Sequence, residues 1–195
     1  SLSPKTSSYQ QWGSALVEYA GSEGLTEEKG YWFDHLLKET SPLPGQKQDG
    51  LSGEGEQSSF SFKLSQEETA SLLGDCNQVY RTRIQELLLS ALLRACQDWS
   101  GHATVRIDME GHGREELFDH LDITETVGWF TSQYPLILSC DPSLDPVEVI
   151  KTVKEACRAI PNNGVGYGVL TKLSKDEDLL AAADNNKQGS IVFNY

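Results

Sequence analysis

The chain has 195 residues, with 16 Lys+Arg against 29 Asp+Glu and a formal net charge of −13. This surplus of negative charge argues against binding to nucleic-acid phosphates, which needs an excess of basic groups, and against docking on an anionic membrane surface. With 38% hydrophobic residues, no apolar run of membrane-spanning length and no signal-peptide pattern in SLSPKTSSYQ, the composition predicts a soluble cytoplasmic domain. Cys76, Cys96, Cys140 and Cys157 form no CxxC pair and read as scattered reduced thiols. His35, His102, His112 and His120 fit no metal-ligand spacing, so no metal is expected.

Tyr9, Trp12, Leu16 and Tyr19 recur at helical spacing and predict a first helix with one apolar face. Thr26, followed by Glu27 and Glu28, offers an N-cap for a second helix that carries Trp32, Phe33, Leu36 and Leu37 and ends near Lys38. Residues 39–59 are rich in Gly, Ser, Pro and Gln and read as a linker. Alternation of Phe60, Phe62 and Leu64 predicts a strand, and Ser65 with Glu68 forms a capping box for a helix to about Asp75. The strongest helical pattern is 83–97, with Ile84, Leu87, Leu88, Ala91, Leu92, Ala95 and Cys96 on a stripe that Leu89 and Leu93 widen. Val105, Ile107 and Met109 predict a strand, and 133–140 a second. Asp145, Pro146 and Glu148 open a helix that runs to Ala159. Ser174 with Glu177 caps a short helix to Ala183, and SIVFNY reads as a last strand. Helices and strands alternate, so the class is α/β or α+β with a mixed sheet.

Three stretches are candidates for chemistry. Glu110-Gly111-His112-Gly113-Arg114-Glu115 follows a strand directly, and its glycines permit positive φ and close approach. Two readings fit it: a carboxylate beside a His and an Arg for acid/base work, or a solvated turn held by an Arg114–Glu ion pair. Thr126-Val127-Gly128-Trp129-Phe130-Thr131 reads either as the lining of an apolar channel or as core aromatics with a Gly at a bulge. Pro161 to Gly168, PNNGVGYG, reads as a helix stop and a glycine loop, without the strand and acidic residue of a dinucleotide fingerprint.

Taken in order, EGHGRE (110–115), TVGWFT (126–131), PNNGVGYG (161–168) and FNY (193–195), preceded by RTRIQELLLSALLRA (81–95), closely resemble the second half of the epimerization domain of nonribosomal peptide synthetases. The opening SSYQQWGSALVEYA resembles the stretch that follows the active-site histidine motif of that family. The condensation domains are the nearest sibling family and lack the EGHGRE run. The resemblance implies a chloramphenicol acetyltransferase-like lobe, α/β with a mixed β-sheet and flanking helices. It assigns 1–38 to a helical connection from an N-terminal lobe, 39–57 to a flexible linker and 58–195 to a C-terminal lobe truncated at its end.

The family inverts Cα of an aminoacyl or peptidyl group held as a thioester on the phosphopantetheine arm of a peptidyl carrier protein, and this chain is expected to bind no cofactor itself. Glu110 matches the catalytic glutamate, and Asn194 and Tyr195 match active-site positions, with Asn194 suited to orient the thioester carbonyl. His112 and Arg114 are expected to position the loop, and Trp129, Phe130 and Tyr167 to wall the substrate and phosphopantetheine pocket. The sequence departs from the family in having no HH pair for the HHxxxDG motif and no LGQ after FNY. The chain alone is therefore expected to be inactive and to self-associate through surface meant for the other lobe. Two other readings stand beside this one: a condensation-type domain forming peptide bonds, and a non-catalytic lobe that docks carrier proteins. On so acidic a chain, carrier docking is expected to use a local apolar or basic patch around Arg81, Arg83 and Arg94.

Overall fold

Ser8 opens the first helix by accepting the Gln11 N–H on its hydroxyl, while the Gln11 side chain accepts the Ser8 N–H in return. The computed structural model of the chain describes residues 5–41, 43–44, 58–174, 176–185 and 191–195. Most of the expected linker, 42 and 45–57, lies outside them, and its five described residues form neither helix nor strand.

Helix α1 spans Tyr9–Tyr19 and buries Trp12 and Ala15. Helix α2 spans Glu23–Leu36 and starts one turn before the expected Thr26. Ser22 is the cap, accepting the Leu25 N–H, and the Thr26 hydroxyl donates back to the Ser22 carbonyl. The Ser65–Glu68 capping box opens α3 (Gln66–Ser71) as expected, and the chain continues through a π-turn, Leu72–Cys76, into α4 (Asn77–Tyr80). The strand expected over 60–64 does not form. Phe60 is 91% exposed and Phe62 77%, and among the described residues no neighbouring strand completes a ladder there. Alternation marks a surface that can pair, but a strand exists only where a partner supplies the hydrogen bonds.

Helix α5 spans Ile84–Ser100. Its buried face runs through Glu86, Leu89, Ser90, Leu93, Cys96 and Gln97, whereas Ala91 and Ala95 are exposed. Leu89 and Leu93 are thus the centre of the apolar face and not its margin. Gln97 is tolerated inside because its amide donates to the Ala103 and Cys140 carbonyls. Strand β1 (Thr104–Gly111) buries Val105, Ile107 and Met109 on one side, and β2 (Ser132–Ser139) is buried from Tyr134 to Leu138. Asp145 caps α6 (Pro146–Arg158) as expected, accepting the Val147 and Glu148 N–H groups.

The expected helix stop is present, with Asn162 and Asn163 in a non-helical, left-handed conformation, but the glycines at 166 and 168 lie in a helix and not in a loop. A 3₁₀ turn, Pro161–Gly164, leads into α7 (Val165–Val169) and a π-turn, Leu170–Ser174. Helix α8 (Glu177–Asn185) is capped by Asp176, whose carboxylate accepts the Leu179 N–H, and not by Ser174, whose hydroxyl donates to the Leu170 carbonyl. Strand β3 is Ile191–Phe193.

The sheet is mixed, in the order β2-β1-β3, with β3 parallel to β1 in the register Ile107 with Ile191, Asp108 with Val192 and Met109 with Phe193. The chain forms two compact units. The first contains Ser1–Thr40, Arg106–Ile137 and Arg158–Tyr195, and the second Ser41–Val105 and Leu138–Cys157. In the first, Trp12, Ile123 and Phe130 form a buried cluster with Leu16, Leu117, Phe118 and Leu121 against it. In the second, the Arg94 guanidinium donates to the carbonyls of Pro142 and Leu144, and Lys154 to that of Tyr80. No described helix is long and apolar enough to cross a membrane.

Candidate active site

The alternation that buries Met109 turns its neighbour Glu110 to the other face of β1, in line with Arg106 and Asp108, which form an ion pair at 3.1 Å. Because β1 is the central strand, Glu110 has a neighbour on each side. Asn194 follows Phe193, the residue in register with Met109, so parallel pairing carries it alongside Glu110. Its Nδ2 donates to Glu110 Oε2 at 2.8 Å. From β2, Gln133 Nε2 donates to Oε1, also at 2.8 Å. Each carboxylate oxygen accepts one amide and retains a second acceptor site on the open face. Two hydrogen bonds, one from each side of β1, fix the carboxylate plane.

The loop after Glu110 is held by its own side chains. His112 Nδ1 accepts the Arg114 N–H at 2.9 Å, and His112 Nε2 lies 3.4 Å from Glu115 Oε1. Gly113 has φ +68°, and a Cβ there would lie 1.6 Å from the Phe130 carbonyl oxygen, so only glycine fits. The Arg114 guanidinium donates to the carbonyls of Ile123 and Thr126 at 2.6 and 2.7 Å and stacks 4.0 Å above the Phe130 ring. Arg114 therefore ties the EGHGRE loop to the TVGWFT segment, and among the described residues it makes no ion pair with a glutamate.

The other expected site residues fall in different places. Tyr195 is 68% exposed, one residue beyond Asn194. Trp129 is 81% exposed, and its carbonyl accepts the Tyr9 hydroxyl at 2.7 Å. Phe130 is buried in the cluster with Trp12. Tyr167 packs on Trp32 with ring centroids 5.1 Å apart. The structure thus brings Glu110 and Asn194 together, groups His112 with Arg114, and puts Phe130 and Tyr167 among packed aromatics. Gln133 was not expected at the site; it stands near the start of β2, and only the pairing of β2 with β1 brings it to Glu110. Among the described residues, no group of three His, Cys, Asp or Glu is arranged to hold a metal ion.

Known proteins share the sequence and the fold of this chain. The Condensation domain family model matches residues 1–185. The chain belongs to the Condensation domain family. It is 41% identical over 194 residues to bacitracin synthase 2 of Bacillus licheniformis, covering 100% of this chain and 7% of that protein. It is 40% identical over 192 residues to bacitracin synthase 3 of the same organism, covering 98% of this chain and 3% of that one. Among solved structures, the epimerization domain from the third module of tyrocidine synthetase B matches with a TM-score of 0.80 and 36% identity, over 91% of this chain and 41% of that chain. The chain therefore spans a few per cent of the length of these synthases and about two fifths of that solved domain.

Proposed function

We propose that this chain supplies the glutamate half of an epimerization site that inverts Cα of an aminoacyl or peptidyl thioester presented on the phosphopantetheine arm of a carrier protein. The observation that carries this reading is the Glu110 carboxylate, held between Gln133 and Asn194 with free acceptor capacity on both oxygens. The 36% identity to an epimerization domain supports it, as does the run EGHGRE that starts at the same residue.

The chemistry needs little beyond these parts. A thioester carbonyl makes the α-proton acidic enough for removal by a positioned base, which leaves an enolate. A second group then returns a proton to the opposite face of Cα, and the electron pair that formed the enolate closes the new C–H bond. Glu110 takes or gives the proton on one face. The second N–H of the Asn194 amide, not used by Glu110, is suited to the thioester oxygen, where negative charge develops. The proton donor or acceptor on the opposite face is contributed by residues outside this sequence. No cofactor enters the cycle, and the carrier protein is the partner that delivers the substrate.

The test is to load the full-length protein and its carrier with an L-aminoacyl thioester, release the amino acid and resolve its enantiomers. Conversion to a mixture of L and D forms is the expected result. Retention of the L form, with peptide-bond formation when a second loaded carrier is added, contradicts the proposal and favours a condensation activity.

A further inference from the structure

The turn after α6 contains three consecutive residues in left-handed conformation: Asn162 at φ 44°, Asn163 at φ 47° and Gly164 at φ 84°. For non-glycine residues this conformation is costly, about 1–2 kcal/mol each, and asparagine tolerates it best. Both asparagines use their side chains, and they use them in different directions.

Asn162 Nδ2 donates to Glu28 Oε1 at 2.6 Å. Glu28 is a buried carboxylate of α2, only 6% exposed, which also accepts the Tyr19 hydroxyl at 2.7 Å and the Trp32 indole N–H at 3.2 Å. Burial and the adjacent Glu28 charge push the Tyr19 phenol above its ordinary pKa, so it remains a donor. Gly166 closes the space, since a Cβ there would lie 1.9 Å from Glu28 Oε2. Glu28 is thus a fixed anchor with donors from three elements.

Asn163 reaches the other way. Its Nδ2 donates to Glu115 Oε2 at 2.7 Å, and the other oxygen of Glu115 faces His112. Glu115 is the last residue of the loop that begins at Glu110, so the turn spans from the buried anchor to the far end of that loop.

We propose that Asn162 and Asn163 are positioning residues: a left-handed pair that ties the loop 110–115 to the buried Glu28 and so holds Glu110 and the residues behind it in their working arrangement. The catalytic consequence rests on the epimerization reading, whereas the mechanical one does not. The left-handed backbone supplies a clean test, because glycine keeps this conformation and removes only the amide.

In the full-length protein, Asn163→Gly and Asn162→Gly are compared with the parent by hydrogen exchange and by epimerization of a carrier-bound thioester. Exchange of the amides of 111–115 is expected to rise roughly tenfold, the loss of one charge-assisted hydrogen bond, with the amides of α5 unchanged. The turnover number is expected to fall roughly tenfold with KM for the loaded carrier unchanged. Unchanged exchange at 111–115 in both variants overturns the proposal whatever happens to activity. A rise that extends over α5 also overturns it, because the asparagines then hold the fold at large. A local rise in a protein whose parent form does not epimerize upholds the tie and overturns the epimerization reading instead.

Discussion

Asn194 lies 84 residues after Glu110 in sequence and donates its side-chain amide to that carboxylate at 2.8 Å. Parallel pairing of β3 with β1 makes the contact, and Gln133 on β2 mirrors it from the other side at the same distance. Both donors are exposed, so their replacement tests orientation without disturbing the core. Asn194→Ala and Gln133→Ala are each expected to lower the epimerization turnover number by at least about tenfold, the worth of one charge-assisted hydrogen bond. The melting temperature should move little. Asn194→Ala should be the more damaging, because it also removes the donor assigned to the thioester oxygen. Equal activity of both variants and the parent would mean that the amides do not orient Glu110.

Arg114 fills a role that lysine cannot. Its fork donates to two carbonyls, those of Ile123 and Thr126, while its plane lies on the Phe130 ring. Lysine keeps the charge but loses the paired donors and the stacking geometry. Arg114→Lys is expected to destabilise the chain by about 2 kcal/mol, measured by denaturant unfolding. Activity should fall with it, because the loop after Glu110 loses its tie to the segment 123–130.

His35 gives stability a pH dependence. It is 4% exposed, and its Nε2 accepts the Ile137 N–H of β2 at 2.8 Å. Burial above all, then Lys38 and, more weakly, Arg106, lower its pKa from 6.5 to about 4, against a backbone hydrogen bond with Pro135 that raises it. The unfolded chain therefore binds a proton near pH 6.5 that the folded chain refuses until about pH 4. The stabilisation is fully present above the unfolded value and is lost as pH falls through this window, about 3 kcal/mol in all. Unfolding free energy should decline between pH 6.5 and 4, and His35→Leu should flatten that decline. The same variant leaves the Ile137 N–H unpaired, so it should be less stable at pH 7, by about 1–3 kcal/mol.

The helices of this chain were legible because their caps and periods are local. Ser65 with Glu68, and Asp145 with Pro146, mark starts that the structure keeps. The failures are equally physical. Phe60, Phe62 and Leu64 alternate like a strand, but pairing depends on a neighbour that no local pattern announces. The glycines at 166 and 168 suggested a loop, yet the turn that needs positive φ lies just before them, at Asn162, Asn163 and Gly164, and the glycines ride in a helix. Of the candidate site, the motifs single out Glu110 and Asn194, whose side chains the structure brings together. They do not single out Gln133, because its meaning comes from the order β2-β1-β3. Glu28 stands in sequence beside the expected cap Thr26, whereas it is a buried anchor whose donors include residues 9 and 134 positions away.

In the proposed reaction Glu110 exchanges a proton with Cα of a carrier-bound thioester. The direct measurement is incorporation of solvent deuterium at Cα of the loaded aminoacyl group, in the full-length protein and in its Glu110→Gln variant. Glutamine keeps the size and can still accept an amide, but it cannot carry the proton, so exchange should drop by on the order of 10²–10⁴-fold. Exchange at the parental rate in Glu110→Gln would contradict the account.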